Sequence, residues 1–152
     1  MRLALTLPLV LPFAVGALAV GAFALGALAL LPLPALADGG VDVVLPDTSM
    51  LSDAQADEVL RAAVLATVIG QNCAGFLTTD GEWGLLTGTA DAIAYGRLGL
   101  DAGRYDDAYW TPAFARQAEP GACAEEGPKL QGLLRLLEDL GGSRVPAGPG
   151  KG

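Results

Sequence analysis

Two cysteines, 17 carboxylates and three serines, with no histidine anywhere, set the chemistry open to this chain. Without histidine, the commonest general base and the commonest metal ligand are both missing. Cys73 and Cys123 stand 50 positions apart, far from the Cys-x-x-Cys spacing of a redox pair. Zinc would need further soft ligands, so an even cysteine count is read as one structural bridge. Closing that loop contributes about 4 kcal/mol on the chain-entropy account. Ser52 has a sufficient role as a helix cap, while Ser49 and Ser143 lie in segments expected to be flexible. Neither Lys129 nor Lys151 is spaced to activate a serine.

Carboxylates remain. Glu82, Asp91, Glu125 and Glu126 are candidates for a glycosidase-like acid and nucleophile. Each of three has a plainer role: Glu82 completes a cap, and Glu125 and Glu126 suit a helix N-terminus through the macrodipole. Asp101, Asp106 and Asp107 gather near Gly103, but the alternating ligands and closing glutamate of an EF-hand are absent. They are read as a solvated acidic turn, and no metal or cofactor is expected. The residue types that best suit recognition are aromatic: Tyr105, Tyr109, Trp110 and Phe114. Tyr105–Tyr109 and Trp110–Phe114 are each four apart, so a helix sets the two pairs on different faces. One pair can pack inward while the other meets a partner.

These residues follow a leader. Met1 and Arg2 precede an almost unbroken apolar run that ends in Ala35-Leu36-Ala37, and Asp38 opens a polar stretch. That is the order of a secretory signal peptide over residues 1–37, with Ala35 and Ala37 as the small residues read by a peptidase and Asp38 as the mature start. Pro32 and Pro34 break the helix just upstream and leave the cleavage site extended. The position directly after the site is not a cysteine and no Arg-Arg pair precedes the core, so neither the lipoprotein nor the twin-arginine route is indicated. The alternative is an uncleaved anchor, since Phe13 to Leu31 come close to the ~20 apolar residues of a membrane span. Gly16, Gly21 and Gly26 recur every five residues, which spirals them around the helix and forms no dimerisation face.

Of nine basic residues only Arg2 lies in the leader, and all 17 acidic ones follow it, leaving a net charge of −9 on residues 38–152. Such a surface repels phosphate backbones and anionic lipid alike, so nucleic acid is excluded as a partner. A membrane partner arises only if the leader stays attached.

The elements that must position the aromatics and cysteines are helical. Ser52 and Gln55 form a capping box for a helix through Val59, Leu60, Ala63, Val64 and Val68, ending at Gly70 to Cys73. From Ala62 to Ile69 nothing is charged, so this half is expected to be buried all round. Thr79 and Glu82 form a second box for a helix through Trp83, Leu86, Ala90, Ile93 and Ala94. Gly84, Gly88 and Gly96 weaken it and are read as places where another element comes close. A short helix is expected to end near Trp110, and another to begin at Pro112 with Thr111 as cap. The last helix runs from about Pro128 to Leu140 with Leu130, Leu133, Leu134, Leu137 and Leu140 on one face, and Gly141 stops it. Strand signals are nearly absent. The fold class is therefore all-α, a small bundle of four or five helices closed by one disulfide. The expected organisation is a flexible 38–50 segment, a 51–140 helical domain and a disordered 141–152 tail.

Asn72-Cys73 at the end of an apolar helix, then Cys123 to Gly127 leading into Lys129 to Arg135, resembles small exported proteins of alphaproteobacteria grouped only as domains of unknown function. The likeness spans about Leu60 to Leu137. It implies a leader, two cysteines and a helical tail, and brings no activity or cofactor. Two functional classes follow. The first is a non-catalytic envelope or secreted protein that binds a protein or small ligand through a helical face. The second is a small carboxylate-dependent hydrolase of envelope polymers. An anchored partner of a membrane complex is a third, if the leader is not cut.

Overall fold

The structure, a computed structural model, describes residues 42–147. The leader with Ala35, Ala37 and Asp38, the first residues of the 38–50 segment and residues 148–152 lie outside the described part. Every regular element in it is helical.

Helix α1 (Asp53–Asn72) starts at the expected box: Ser52 Oγ accepts from Gln55 N at 3.3 Å, and Gln55 Oε1 accepts from Ser52 N at 2.8 Å. Its apolar half is the centre of the core. Ala63, Val64, Ala66, Val68 and Ile69 are buried, together with Thr67, whose hydroxyl donates back to the Ala63 carbonyl at 2.9 Å. At the other end the Asn72 side-chain amide donates to the Val68 carbonyl one turn back, at 2.8 Å.

Helix α2 (Asp80–Asp91) begins at the second box. It continues as a π-helical stretch, Ala92–Arg97, that buries Ile93 and Ala94. The close approach expected at its glycines is present at Gly88, where an added Cβ would meet Leu45 at 2.7 Å. Gly96 faces open space. From the end of the π stretch Arg97 reaches back to the Thr48 carbonyl at 2.6 Å and to that of Leu51, fixing the chain that leads into α1.

The break expected between Trp110 and Pro112 does not occur. Helix α3 (Ala102–Tyr105), capped by Asp101, runs through a π-helical stretch (Asp106–Trp110) straight into helix α4 (Thr111–Gln117), and Thr111 makes no cap. The reason is tertiary. Pro112 has no N–H to give the Ala108 carbonyl, and Arg61 of α1 supplies a donor instead, at 3.3 Å.

The last helix also departs from expectation. Helix α5 (Ala122–Asp139) starts six residues before Pro128 and carries that proline inside. Gly121, at φ +86°, turns the chain into it. What holds the early turns is the buried Ala122, the bridged Cys123 and the seating of Gly127 on the Phe76 ring. Leu130, Leu134 and Leu137 face the core and Gly141, at φ +92°, ends the helix as expected. The Cys73–Cys123 bridge is present, with Cα atoms 5.6 Å apart, and ties the end of α1 to the start of α5.

The tail expected to be disordered is ordered over residues 141–147. Ser143 N donates to the Val44 carbonyl at 2.9 Å, and Ala147 N to that of Asp42 at 2.7 Å, so tail and N-terminal segment run together. Asp47 N adds a bond to the Leu140 carbonyl at 2.8 Å. Arg144 is the anchor: it pairs with Glu138 at 2.7 Å and with Glu82 at 3.0 Å. Periodicity cannot reveal a strap held by one guanidinium.

Two predictions follow from packing. Gly81 lies so close beneath the strap that an added Cβ would stand 1.9 Å from the Arg144 carbonyl oxygen, whereas Gly132 on α5 faces open space. G81A should lower unfolding free energy by about 2 kcal/mol through overpacking, and G132A should raise it by up to about 1 kcal/mol, both read by urea denaturation. Replacing Cys73 and Cys123 together by alanine should cost about 4 kcal/mol in the same assay.

Candidate functional site

Of the four aromatics proposed as a binding surface, two are not at the surface. Tyr105 and Tyr109 are buried, while Trp110 is half-buried and Phe114 is 52% exposed. Tyr109 lies against α1: its hydroxyl donates to Asp57 Oδ1, and the Arg61 guanidinium sits 4.8 Å from its ring centre. The hydroxyl of Tyr109 and then the Arg61 pair hold the Asp57 carboxyl below the usual carboxylate range. Burial, and then the hydrogen bond to Asp57, push Tyr109 up. The Tyr105 hydroxyl is buried with no hydrogen-bond partner, and burial followed by the nearby Asp91 charge pushes it up as well.

Around the Tyr105 ring stand Tyr95, Tyr109 and Trp110, edge to face at 5.4, 6.0 and 6.0 Å. Trp110 in turn lies 6.1 Å from Phe114 at a 32° tilt. The result is an aromatic edge of Trp110 and Phe114 on the α3–α4 segment, with Tyr95 of the π stretch after α2 bordering Tyr105 beneath it. Tyr95 joins it from ten residues away in sequence, so no helical spacing links it to the cluster.

The other side of α4 borders a different feature. Leu65 of α1, Pro112, Ala113 and Arg116 line a cleft of about 210 Å³, closed at one end by Arg61 and Tyr109. Leu65 also lines a smaller hollow of about 90 Å³ with Ala62, Ala66 and Ile69 of α1 and Leu130 and Leu133 of α5. The two share Leu65 and lie side by side over α1, one against α4 and the other against α5; taken together they are a two-part apolar groove. Sequence spacing carries no sign of it, because its walls come from segments some 45 and 65 residues beyond its floor.

The carboxylates hold structure together. Glu82 Oε2 accepts from Thr79 N at 3.0 Å and its Oε1 from Arg144 at 3.0 Å. Burial alone would raise its pKa, but the bonds from Thr79, Gln131 and Arg144 outweigh it and hold the group below its ordinary value. Glu126 receives Lys129 at 2.7 Å and Arg116 Nη2 at 2.9 Å, and those two bonds lower it. Arg116 also pairs with Glu119 and Glu125. A glycosidic general acid needs the opposite, a carboxyl kept protonated near neutrality. Glu82 and Glu126 belong to separate networks centred on Arg144 and Arg116, and Asp91 belongs to neither. Asp101, Asp106 and Asp107 do not converge either: Asp101 caps α3 and pairs with Arg104, and among the described residues no cluster of acidic or cysteine side chains could hold a metal ion.

Among the described residues no helix is long and apolar enough to cross a membrane, and no cysteine is free. Comparison with protein-family models, curated proteins and solved structures finds no match to the chain.

The Glu82 environment makes a signed prediction. A carboxyl held below its unfolded value stabilises the fold above that value and loses the contribution as pH falls through the folded pKa. E82Q should therefore be less stable by about 1–2 kcal/mol at neutral pH. Its deficit should shrink below the ordinary glutamate value of 4.5, measured as denaturation midpoints against pH.

Proposed function

We propose that this chain is exported, loses its leader after Ala37, and acts in the cell envelope or outside the cell as a small binding protein with no catalytic step. Its partner is another protein or a small ligand, met by the aromatic edge. The observation that carries this reading is the exposed Phe114, set beside the half-buried Trp110. In a domain this small, aromatic side chains are needed for the core, yet Phe114 leaves half its surface in water and its nearest ring is Trp110. Tyr95, 49% exposed, borders the same cluster through Tyr105. Export is supported by the order of charged end, apolar core and small residues before Asp38, and by a disulfide of the kind that persists in oxidising compartments. The charge of −9 on residues 38–152 points away from nucleic acid and anionic lipid.

The hydrolase reading has no supporting geometry, since Glu82 and Glu126 are held ionised inside ion-pair networks.

Two measurements test the proposal. Intact mass of the protein recovered from the envelope or medium should correspond to residues 38–152 less two hydrogens; full-length chain in cytosol with alkylatable thiols would refute export. A photo-crosslinking residue at Phe114 should trap one recurrent adduct in the envelope, and one at Arg135, exposed on α5, should not. F114S should keep the melting temperature within about 2 °C and lose the partner seen at position 114. Indiscriminate adducts at both positions would remove the aromatic edge as a contact site.

A further inference from the structure

We propose that the groove over α1 receives a basic amphipathic helix from a partner protein, on the side of α4 away from the aromatic edge and independently of it. The floor is low because it is built from small side chains, Ala62 and Ala66, with the half-buried Leu65 between them. Pro112 and Ala113 form one wall and Leu130 and Leu133 the other. From Arg61 to Ile69 the floor runs about 12 Å, a little over two helical turns. A helix laid there presents side chains at i, i+4 and i+7 to an apolar surface of matching length.

Charge selects the occupant. The cations at the rim are already taken: Arg61 by Asp57, Arg116 by Glu119, Glu125 and Glu126, and Lys129 by Glu126. Glu58, exposed, stands one turn before Ala62 on the same face of α1. Five carboxylates thus surround three cations, and the side chains of Glu119 and Glu125 are 55% and 65% exposed. The negative balance of the whole mature chain reinforces the local field. An acyl chain with an acidic head would meet arginines already paired and a surplus of carboxylates. A second copy is also a poor fit, because α5, the most amphipathic helix here, mixes Lys129 and Arg135 with Glu125, Glu126, Glu138 and Asp139. Lysines or arginines flanking an apolar stripe fit both the floor and the rim.

The test uses the oxidised protein and three probes: an 18-residue helical Leu/Lys peptide, its Leu/Glu counterpart, and dodecanoate. Fluorescence anisotropy should show the Leu/Lys helix binding at least tenfold more tightly than the Leu/Glu helix, with an affinity that falls as salt rises. Amide shifts should map to Ala62, Leu65 and Leu133. L133Q should weaken binding about tenfold, a loss of about 1.4 kcal/mol, while L77Q, on an exposed loop, should not. If L133Q fails to fold, A62Q fills the groove from an exposed position without touching the core. E119Q with E125Q should weaken binding about threefold and flatten the salt dependence. Equal binding of the two peptides, unchanged binding by folded A62Q, dodecanoate shifting the same amides more tightly than the Leu/Lys helix, or self-association through this face would each overturn the proposal.

Discussion

Helix α1 is apolar around most of its circumference from Ala63 to Gly70, and a helix of that kind must be covered on several sides at once. The rest of the bundle answers that requirement. Leu85, Leu86 and Ile93 come from α2 and its π extension, Tyr109 and Ala113 from the α3–α4 segment, and Leu130, Leu134 and Leu137 from α5. Between Asp57 and Leu65 an outer line of Asp57, Glu58, Arg61, Ala62 and Leu65 stays wholly or partly open to water. That open line is the floor of the groove. The recognition surface and the core are thus two sides of one helix, and the boundary between them is set by which α1 residues the neighbours fail to cover.

Two arginines close what hydrophobic burial leaves loose. Arg144 joins the tail to α2 through Glu82 and to α5 through Glu138, and Arg116 joins α4 to the first turns of α5. Single exposed ion pairs contribute little. These differ because each guanidinium serves several carboxylates, and Glu82 and Glu126 are only 10% exposed. The same arrangement holds the Glu82 and Glu126 carboxyls below their ordinary range and turns them toward cations and caps.

What could be read in the sequence was local. Both capping boxes, the Gly141 stop, the leucine face of α5 and the bridge between the only two cysteines follow from rules that span a few residues or a pair. The spacing set the aromatic pairs on different faces, but it did not say that Tyr105 and Tyr109 would be the buried ones. What could not be read depended on a distant donor. Proline breaks helices by leaving a carbonyl without its N–H, and Pro112 was read that way. Arg61, 51 positions earlier, repairs that deficit. Pro128 and the tail show the same thing: a local rule is overridden by a bridged cysteine in one case and by Arg144 in the other. The groove belongs to this class, since no window of sequence contains more than one of its walls.

The staple also bears on recognition. The disulfide fixes α5 to α1 at one end of the groove, and Arg116 fixes α4 to α5 beside it. From the bridge α1 and α5 extend side by side with opposite chain sense, which brings Leu130 and Leu133 to the same hollow as Leu65. Walls held in this way do not have to be ordered when an occupant arrives, so less of the contact energy is lost to ordering. A 50-residue loop closed by one bond is therefore more than a stabiliser of the native state. It predefines the width of a surface whose floor and wall share no local sequence, which a core this small would hold less firmly by packing alone.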